Sequence, residues 1–179
     1  MRRWPTWASA RPLALLAALL ATALATGCGY HLAGHGGGRD GGRGGAVPAD
    51  VRTVAVSTPD ASLGRAFRQW AREHASGWTV ADDAASADAE LRVSAVSEQF
   101  TPTAFDANGV AVTYRLSRTA ELSLWRDGKR LWRSGPVTVS GDVYAVGGPA
   151  SIDASRARVR RDLEREWLRE AWQRLISGF

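Results

Sequence analysis

Cysteine and histidine are scarce in this chain of 179 residues, which contains one cysteine and three histidines. A single cysteine excludes a disulfide framework and also a zinc site with four cysteine ligands. The sequence contains no Gly-x-Ser-x-Gly motif and no set of histidine and cysteine residues at metal-ligand spacing. We therefore expect no enzymatic activity, no catalytic residues, no cofactor and no bound metal.

Acidic residues are absent from the first 27 positions, which contain Arg2, Arg3 and Arg11. When these three arginines are subtracted from the 23 basic residues, 20 remain against 18 acidic residues. Because the rest of the chain is nearly neutral, its charge gives little support to nucleic-acid binding, and we expect no nucleic-acid partner.

Long apolar runs are also missing. The longest run, residues 12–26, has 15 residues and is shorter than the roughly 20 that a membrane-spanning helix needs. A basic start followed by a short apolar run is typical of a secretory signal peptide, which we place at residues 1–27.

The cysteine follows this run in the segment Ala25-Thr26-Gly27-Cys28, which is similar to a bacterial lipobox. An ordinary signal peptide with an incidental cysteine is the alternative, but an unpaired thiol is a liability in an oxidising compartment. We predict that Cys28 is lipidated by diacylglycerol and a further acyl chain such as palmitate, which together anchor the protein stably in a membrane. Gly29 after the cysteine indicates the periplasmic side of the outer membrane.

Glycine is concentrated in one segment, since eight of the twelve residues 34–45 are glycine. Such a segment buries little side-chain surface and loses much backbone entropy on ordering. We therefore interpret residues 28–50 as a lipid-anchored, glycine-rich tether. Residues 51–179 are then one folded domain.

Residues 51–57 are rich in β-branched side chains and predict a strand. A helix follows, with Thr58 as the expected N-cap, Pro59 at the first helical position and Asp60 in the first turn. Its apolar face consists of residues at helical spacing, namely Leu63, Ala66, Phe67, Trp70, Ala71 and His74. Gly77 is expected to end it.

The later strands are predicted at residues 78–80 (a short edge strand), 89–95, 110–124 and 130–140. Asp127-Gly128 is the preferred central pair of a two-residue hairpin turn. This turn places Trp125 opposite Arg130. It also places Leu124 opposite Leu131.

A long amphipathic helix is predicted from about residue 152 to 176. Its apolar stripe consists of Val159, Leu163, Trp167, Ala171, Leu175 and Phe179, widened by Leu168, Trp172 and Ile176. The interleaved arginine and acidic residues indicate a solvated face with i,i+4 pairs rather than a nucleic-acid patch. We expect Phe67, Trp70, Leu163 and Trp167 to pack on a strand face carrying Tyr114, Leu122 and Leu124.

These elements predict an α+β fold. It is a two-layer sandwich in which a mostly antiparallel, four-stranded mixed sheet has two helices packed on one face.

The segment Cys28–Gly34, with the sequence Cys-Gly-Tyr-His-Leu-Ala-Gly, resembles the start of mature lipopolysaccharide-assembly lipoproteins of the LptE family. The similarity continues in order along the chain, at residues 53–56, 87–91, 114–116, 120–122, 128–132 and 176–179. The loop at residues 57–60 and the glycine-rich segment depart from the family's usual pattern.

The resemblance implies an outer-membrane lipoprotein that sits inside the LptD β-barrel, supports its assembly, plugs it and contacts lipopolysaccharide on its way to the cell surface. It implies no covalent chemistry. An unrelated outer-membrane lipoprotein that binds peptidoglycan or another envelope complex is the alternative. A lipid-anchored hydrolase is a third reading, which the missing catalytic motifs disfavour.

Basic residues crowd the predicted hairpin, where Arg126, Lys129 and Arg130 are candidates for lipopolysaccharide binding. Lipid A carries phosphates, and arginine binds phosphate well. Arg118 is a further candidate, because it falls on an otherwise apolar row and must reach an edge or a partner. The alternative is that charges at a hairpin keep it soluble and protect edge strands.

Overall fold

The computed structural model describes residues 45–145 and 149–179, which form six strands, two α-helices and one 3-10 turn. The strands are β1 (Thr53–Ser57), β2 (Thr79–Val80), β3 (Ala89–Val93), β4 (Ser97–Phe105), β5 (Ala111–Arg126) and β6 (Lys129–Tyr144). The helices are α1 (Ala61–His74) and α2 (Pro149–Ser177), and the 3-10 turn is Ala84–Ser86. Neither helix combines the length and the apolar composition needed to cross a membrane.

The α+β class is confirmed, but the prediction of a four-stranded sheet is wrong. The strand that sequence reasoning missed is β4, in which only Glu98 and Phe100 are partly buried and the other residues are exposed. A strand exposed on both faces shows no apolar alternation, so its pattern resembles a loop. Pro102 lacks a backbone N–H and is tolerated because β4 pairs on one side only.

β5 is the centre of the sheet, since β6 pairs along one of its edges while β3 and β4 share the other. β3 pairs with residues 122–125 of β5 and β4 pairs with residues 111–119, and all these pairs are antiparallel. β1 and β2 extend the sheet beyond β3 by parallel pairing. The two longest strands, β5 and β6, therefore connect two distinct ends of the sheet.

The start of α1 differs from the prediction. Its N-cap is Asp60, whose Oδ1 accepts hydrogen bonds from the backbone N–H groups of Ser62 and Leu63 at 3.0 and 3.1 Å. The Thr58 hydroxyl instead accepts a hydrogen bond from the backbone N–H of Asp60 at 3.2 Å. The predicted Thr58 cap is thus wrong, and Pro59 precedes the helix.

Both helices pack on the same face of the sheet around Phe67. The Phe67 ring centroid lies 6.4 Å from that of Trp167 and 6.3 Å from that of Trp172. The predicted burial of Phe67, Leu163, Trp167, Leu122 and Leu124 is confirmed.

Other predicted core residues lie at the margin of the core. Trp70 and Tyr114 are only partly buried. Ile176 and Phe179, placed on the apolar stripe of the last helix, are 45% and 72% exposed. The stripe is wrong at these two positions: Ile176 is in the last turn of the helix, and Phe179 lies beyond its end at Ser177.

The β5–β6 hairpin has the predicted turn, with φ of 50° at Asp127 and 73° at Gly128. Trp125 lies opposite Arg130, as predicted. A register shift follows, so that Leu124 pairs with Trp132 rather than with Leu131. The return strand also continues to Tyr144, four residues beyond the predicted end.

Candidate functional site

The predicted basic hairpin lies where the chain enters the fold. Asp50, just before β1, forms an ion pair with Arg126 at the end of β5. The hydrogen bond from Arg126 lowers the pKa of Asp50, and the same bond raises the pKa of Arg126. We call the end of the sheet where Asp50 meets the β5–β6 hairpin the entry end. One of its cations, Arg126, is already paired within the chain.

Lys129 and Arg130, at the start of β6, are exposed. The Arg130 guanidinium lies 5.9 Å from the centroid of the Trp125 ring, and Arg92 of β3 lies 4.6 Å from the same ring. Sequence reasoning missed Arg92, because only the pairing of β3 with β5 brings it beside the hairpin. Arg92 forms an ion pair with Glu90 at 2.7 Å, so Lys129 and Arg130 are the exposed cations of this surface that suit phosphate binding.

Arg118 does not join the hairpin residues. It is 8% exposed, and its guanidinium lies 3.5 Å from Glu98, 3.8 Å from Glu164 and 4.0 Å from Asp60. These carboxylates belong to β4, α2 and the cap of α1. The charge of Arg118, which falls on an otherwise apolar row of β5, is thus paired inside the domain.

Glu98 is the centre of this network. Its carboxylate accepts hydrogen bonds from Arg160 at 2.7 and 2.9 Å and from Arg156 at 2.8 Å. The hydrogen bond from Arg160 is the largest effect that lowers the pKa of Glu98, to about 2, and Arg156 adds to it while burial opposes it. The network fastens β4 to α2 and thereby holds the base of the β4–β5 hairpin.

Beyond this network, neither of the two described helices, α1 and α2, covers the sheet. Phe100 stacks on Tyr114 with 4.6 Å between ring centroids, and Arg156 of α2 covers the Phe100 ring at 4.5 Å. Every residue from 101 to 110 is exposed. We call residues 101–112 together with Tyr144 the far end of the sheet.

The far end is apolar and ordered by hydrogen bonds. Phe105, Val110 and Tyr144 are 59%, 60% and 59% exposed. The Asp106 carboxylate accepts hydrogen bonds from the backbone N–H groups of Asn108 at 2.8 Å and Val110 at 2.9 Å. Large apolar side chains on a held turn, outside the core, are typical of a protein-binding surface.

Cys28 lies outside the described residues, so its lipidation stays a prediction. Within residues 45–145 and 149–179, no three His, Cys, Asp or Glu side chains are grouped so that they could hold a metal ion.

Comparisons with known proteins give a family and a fold. The family model LptE, described as lipopolysaccharide-assembly, matches residues 51–177. No curated protein matches the chain.

Solved structures of three bacterial lipoproteins are similar in fold. Lipoprotein B from Nitrosomonas europaea has a TM-score of 0.62 and 10% identity, with 72% of this chain and 84% of that chain covered. A minor lipoprotein from Acinetobacter baumannii has a TM-score of 0.56 and 10% identity, covering 71% and 91%. The rare lipoprotein B from Shewanella oneidensis has a TM-score of 0.52 and 17% identity, covering 71% and 92%.

Proposed function

Because the chain belongs to the LptE family of lipopolysaccharide-assembly proteins, we propose that it is a non-enzymatic outer-membrane lipoprotein that partners and plugs an LptD-like β-barrel. In this role it contacts lipopolysaccharide on its way to the cell surface. The family match over residues 51–177, nearly the whole described domain, is the observation that carries the proposal. No feature of the described residues favours the alternative of a peptidoglycan-binding module.

The far end supports the partnership with a barrel. Its apolar side chains, Phe105, Val110 and Tyr144, are exposed on the part of the sheet that α2 leaves uncovered. The Asp106 hydrogen bonds hold the turn before any partner arrives, so docking costs little ordering entropy. This end consists of only two to three strands, namely β4, β5 and the end of β6.

The entry end supports contact with lipopolysaccharide. Lys129 and Arg130 are exposed, and the Arg130 guanidinium lies 5.9 Å from the centroid of the Trp125 ring. These cations suit the phosphates of lipid A. Arg118 does not belong to this surface, since its charge is paired with internal carboxylates.

The lipopolysaccharide contact is tested by replacing Arg126, Lys129 and Arg130 together with serine. We expect weaker binding of purified lipopolysaccharide and a flatter dependence of affinity on salt, because fewer cations meet the phosphates. The matched control replaces Arg65, Arg161 and Arg169, three exposed helix arginines, and removes the same charge. If both triple variants lose the same affinity for lipopolysaccharide, the hairpin is not a binding site, and the loss comes from the lower net charge alone.

Anchoring is tested with Cys28→Ala. The variant should accumulate as an unprocessed precursor or as a soluble periplasmic form, because no thiol can accept the diacylglycerol. Flotation of membranes and the mass of the protein measure this. A variant that still floats with outer membranes at the mass of the native protein would contradict lipid attachment at Cys28.

A further inference from the structure

Among the described residues, no strand pairs with the outer edge of β6, which hydrogen-bonds to β5 on one side only. The backbone N–H of Ala145 donates to the carbonyl of Val112 at 2.9 Å, and the register of the two strands sets these residues directly opposite each other. In an antiparallel ladder, such hydrogen-bonded pairs alternate with pairs whose N–H and C=O groups point away from the partner strand. The even-numbered residues from 138 to 144 therefore point these groups outward, away from β5.

The first part of this outer edge is occupied by α2. The Arg174 guanidinium donates to the carbonyls of Ser134 and Pro136 at 3.0 and 3.1 Å. Further along β6, α2 lies over a face of the strand, since a Cβ on Gly141 would lie 3.0 Å from a side chain of that helix. The helix thus covers a face of residues 138–144, whereas their outward N–H and C=O groups lie at the side of the strand. We call residues 138–144 the open edge.

β4 is the other edge of this end of the sheet, and it carries two features that hinder strand addition. Pro102 has no backbone N–H, and register shifts lie on both sides of Ala104. Native proteins use proline and bulges in this way to keep edge strands from pairing with other chains. The open edge contains no proline and no lysine, and its register with β5 is unbroken. Of the two edges, the open edge is therefore the one suited to receive a strand.

The side chains along the open edge leave it without net charge. Thr138 and Ser140 are exposed. The Asp142 carboxylate accepts hydrogen bonds from Arg115 of β5 at 2.9 and 3.0 Å, so its charge is balanced within the sheet. Tyr144, at the end of the edge, is 59% exposed. An incoming strand therefore meets no unbalanced charge, and its main-chain hydrogen bonds provide the affinity.

The position of the open edge identifies the source of the strand. Tyr144 belongs both to the open edge and to the far end, so the edge is continuous with the surface that the proposed function assigns to a barrel partner. The chain's own glycine-rich segment, residues 34–45, is a poor strand former. The wall strands of a closed barrel are already paired on both sides. A loop or a chain end of the barrel protein is therefore the segment that can add to the edge.

We propose that the open edge receives an extended segment of the barrel partner, from a loop or a chain end, as an added β-strand. The proposal rests on the proposed function and names the contact that holds the partner. Main-chain hydrogen bonds to the even-numbered residues of the open edge bind the segment. The apolar side chains of the far end set its position.

The test compares Ser140→Pro with Ser140→Ala in the tagged protein. Proline removes one outward N–H and leaves the hydrogen bonds to β5 in place, since proline is tolerated where the N–H of an edge strand faces solvent. We expect Ser140→Pro to co-purify about tenfold less barrel from outer membranes, because a carbonyl of the added strand loses its donor. Ser140→Ala removes the hydroxyl, keeps the N–H and is the matched control, which should co-purify as much barrel as the native protein.

Hydrogen exchange gives a second measurement that needs no substitution and so does not depend on the folding of a variant. In the native protein without the barrel, the amides of Thr138, Ser140 and Asp142 should exchange fast, whereas those of Val139 and Val143, bonded to β5, should exchange slowly. In the purified complex with the barrel, both sets of amides should exchange slowly. The alternation along β6 should therefore disappear on binding.

The proposal is overturned if Ser140→Pro retains as much barrel as the native protein, or if the even-numbered amides exchange as fast in the complex as without the barrel. Slow exchange of these amides without the barrel, at a rate that depends on protein concentration, would assign the open edge to a second copy and also overturn the proposal. A native protein that brings down no barrel overturns the proposed function together with this proposal, whereas a barrel retained by Ser140→Pro overturns this proposal alone.

Discussion

The two ends of the sheet differ in how their strands are covered and paired. At the entry end, the segment before β1, the end of α2 and the β5–β6 hairpin lie together, and Arg126 is paired with Asp50. At the far end, residues 101–110 are all exposed and hydrogen bonds to the Asp106 carboxylate hold the β4–β5 turn. β5 and β6 are thus longer than the helix layer can cover. The uncovered part buries little apolar surface and therefore contributes little to the stability of the fold.

Among the tests of this contrast, Trp167→Ala is expected to have the largest effect on stability. Trp167 is 3% exposed and lies against Phe67 in the covered part of the sheet. We expect the free energy of unfolding to fall by about 3–5 kcal/mol, as measured by urea denaturation. Phe105→Ala at the far end is the matched control and should change it by no more than about 0.5 kcal/mol. Similar losses for both variants would show that the far end is part of the core.

A smaller effect is expected at the border between the two regions, where Glu98 fastens β4 to α2. The pKa of Glu98 is lowered from 4.5 to about 2. Its carboxylate therefore stabilises the fold fully above pH 4.5, and this stability is lost as the pH falls towards 2. Glu98→Gln should cost about 2–3 kcal/mol at neutral pH, since it leaves Arg156 and Arg160 without their carboxylate.

The pH dependence separates this effect from a simple packing defect. The difference in unfolding free energy between native and Glu98→Gln proteins should shrink as the pH is lowered from 5 towards 2. Glu170→Gln, which removes an exposed partner of Arg174 on α2, is the control and should have an effect below about 1 kcal/mol. A difference that is constant with pH would contradict the role given to the Glu98 charge.

Hydrophobic periodicity in the sequence was sufficient to predict both helices and the strands that have one buried face. It failed for β4, because a strand exposed on both faces has no apolar period, and so the far end could not be predicted. The register shift at Leu131 could not be predicted from the sequence either, since Asp127-Gly128 determines only the strand pairs next to the turn.

The candidate site was predicted in part. The crowding of Arg126, Lys129 and Arg130 on one hairpin follows from the turn alone. Arg118 stood out as a charge on an apolar row, but its partners come from β4, α2 and the cap of α1. Such long-range pairs depend on the tertiary fold, and sequence spacing does not reveal them.

The most direct test of the central claim, that the far end is the surface for a barrel partner, is affinity purification of the tagged protein from outer membranes. We expect a large LptD-like β-barrel to co-purify with the native protein and with the Ile176→Ser, Phe179→Ser variant. The triple variant Phe105→Ser, Val110→Ser and Tyr144→Ser should fold normally and lose the barrel. The claim is contradicted if the native protein brings down no barrel, or if the triple variant brings down as much as the native protein does.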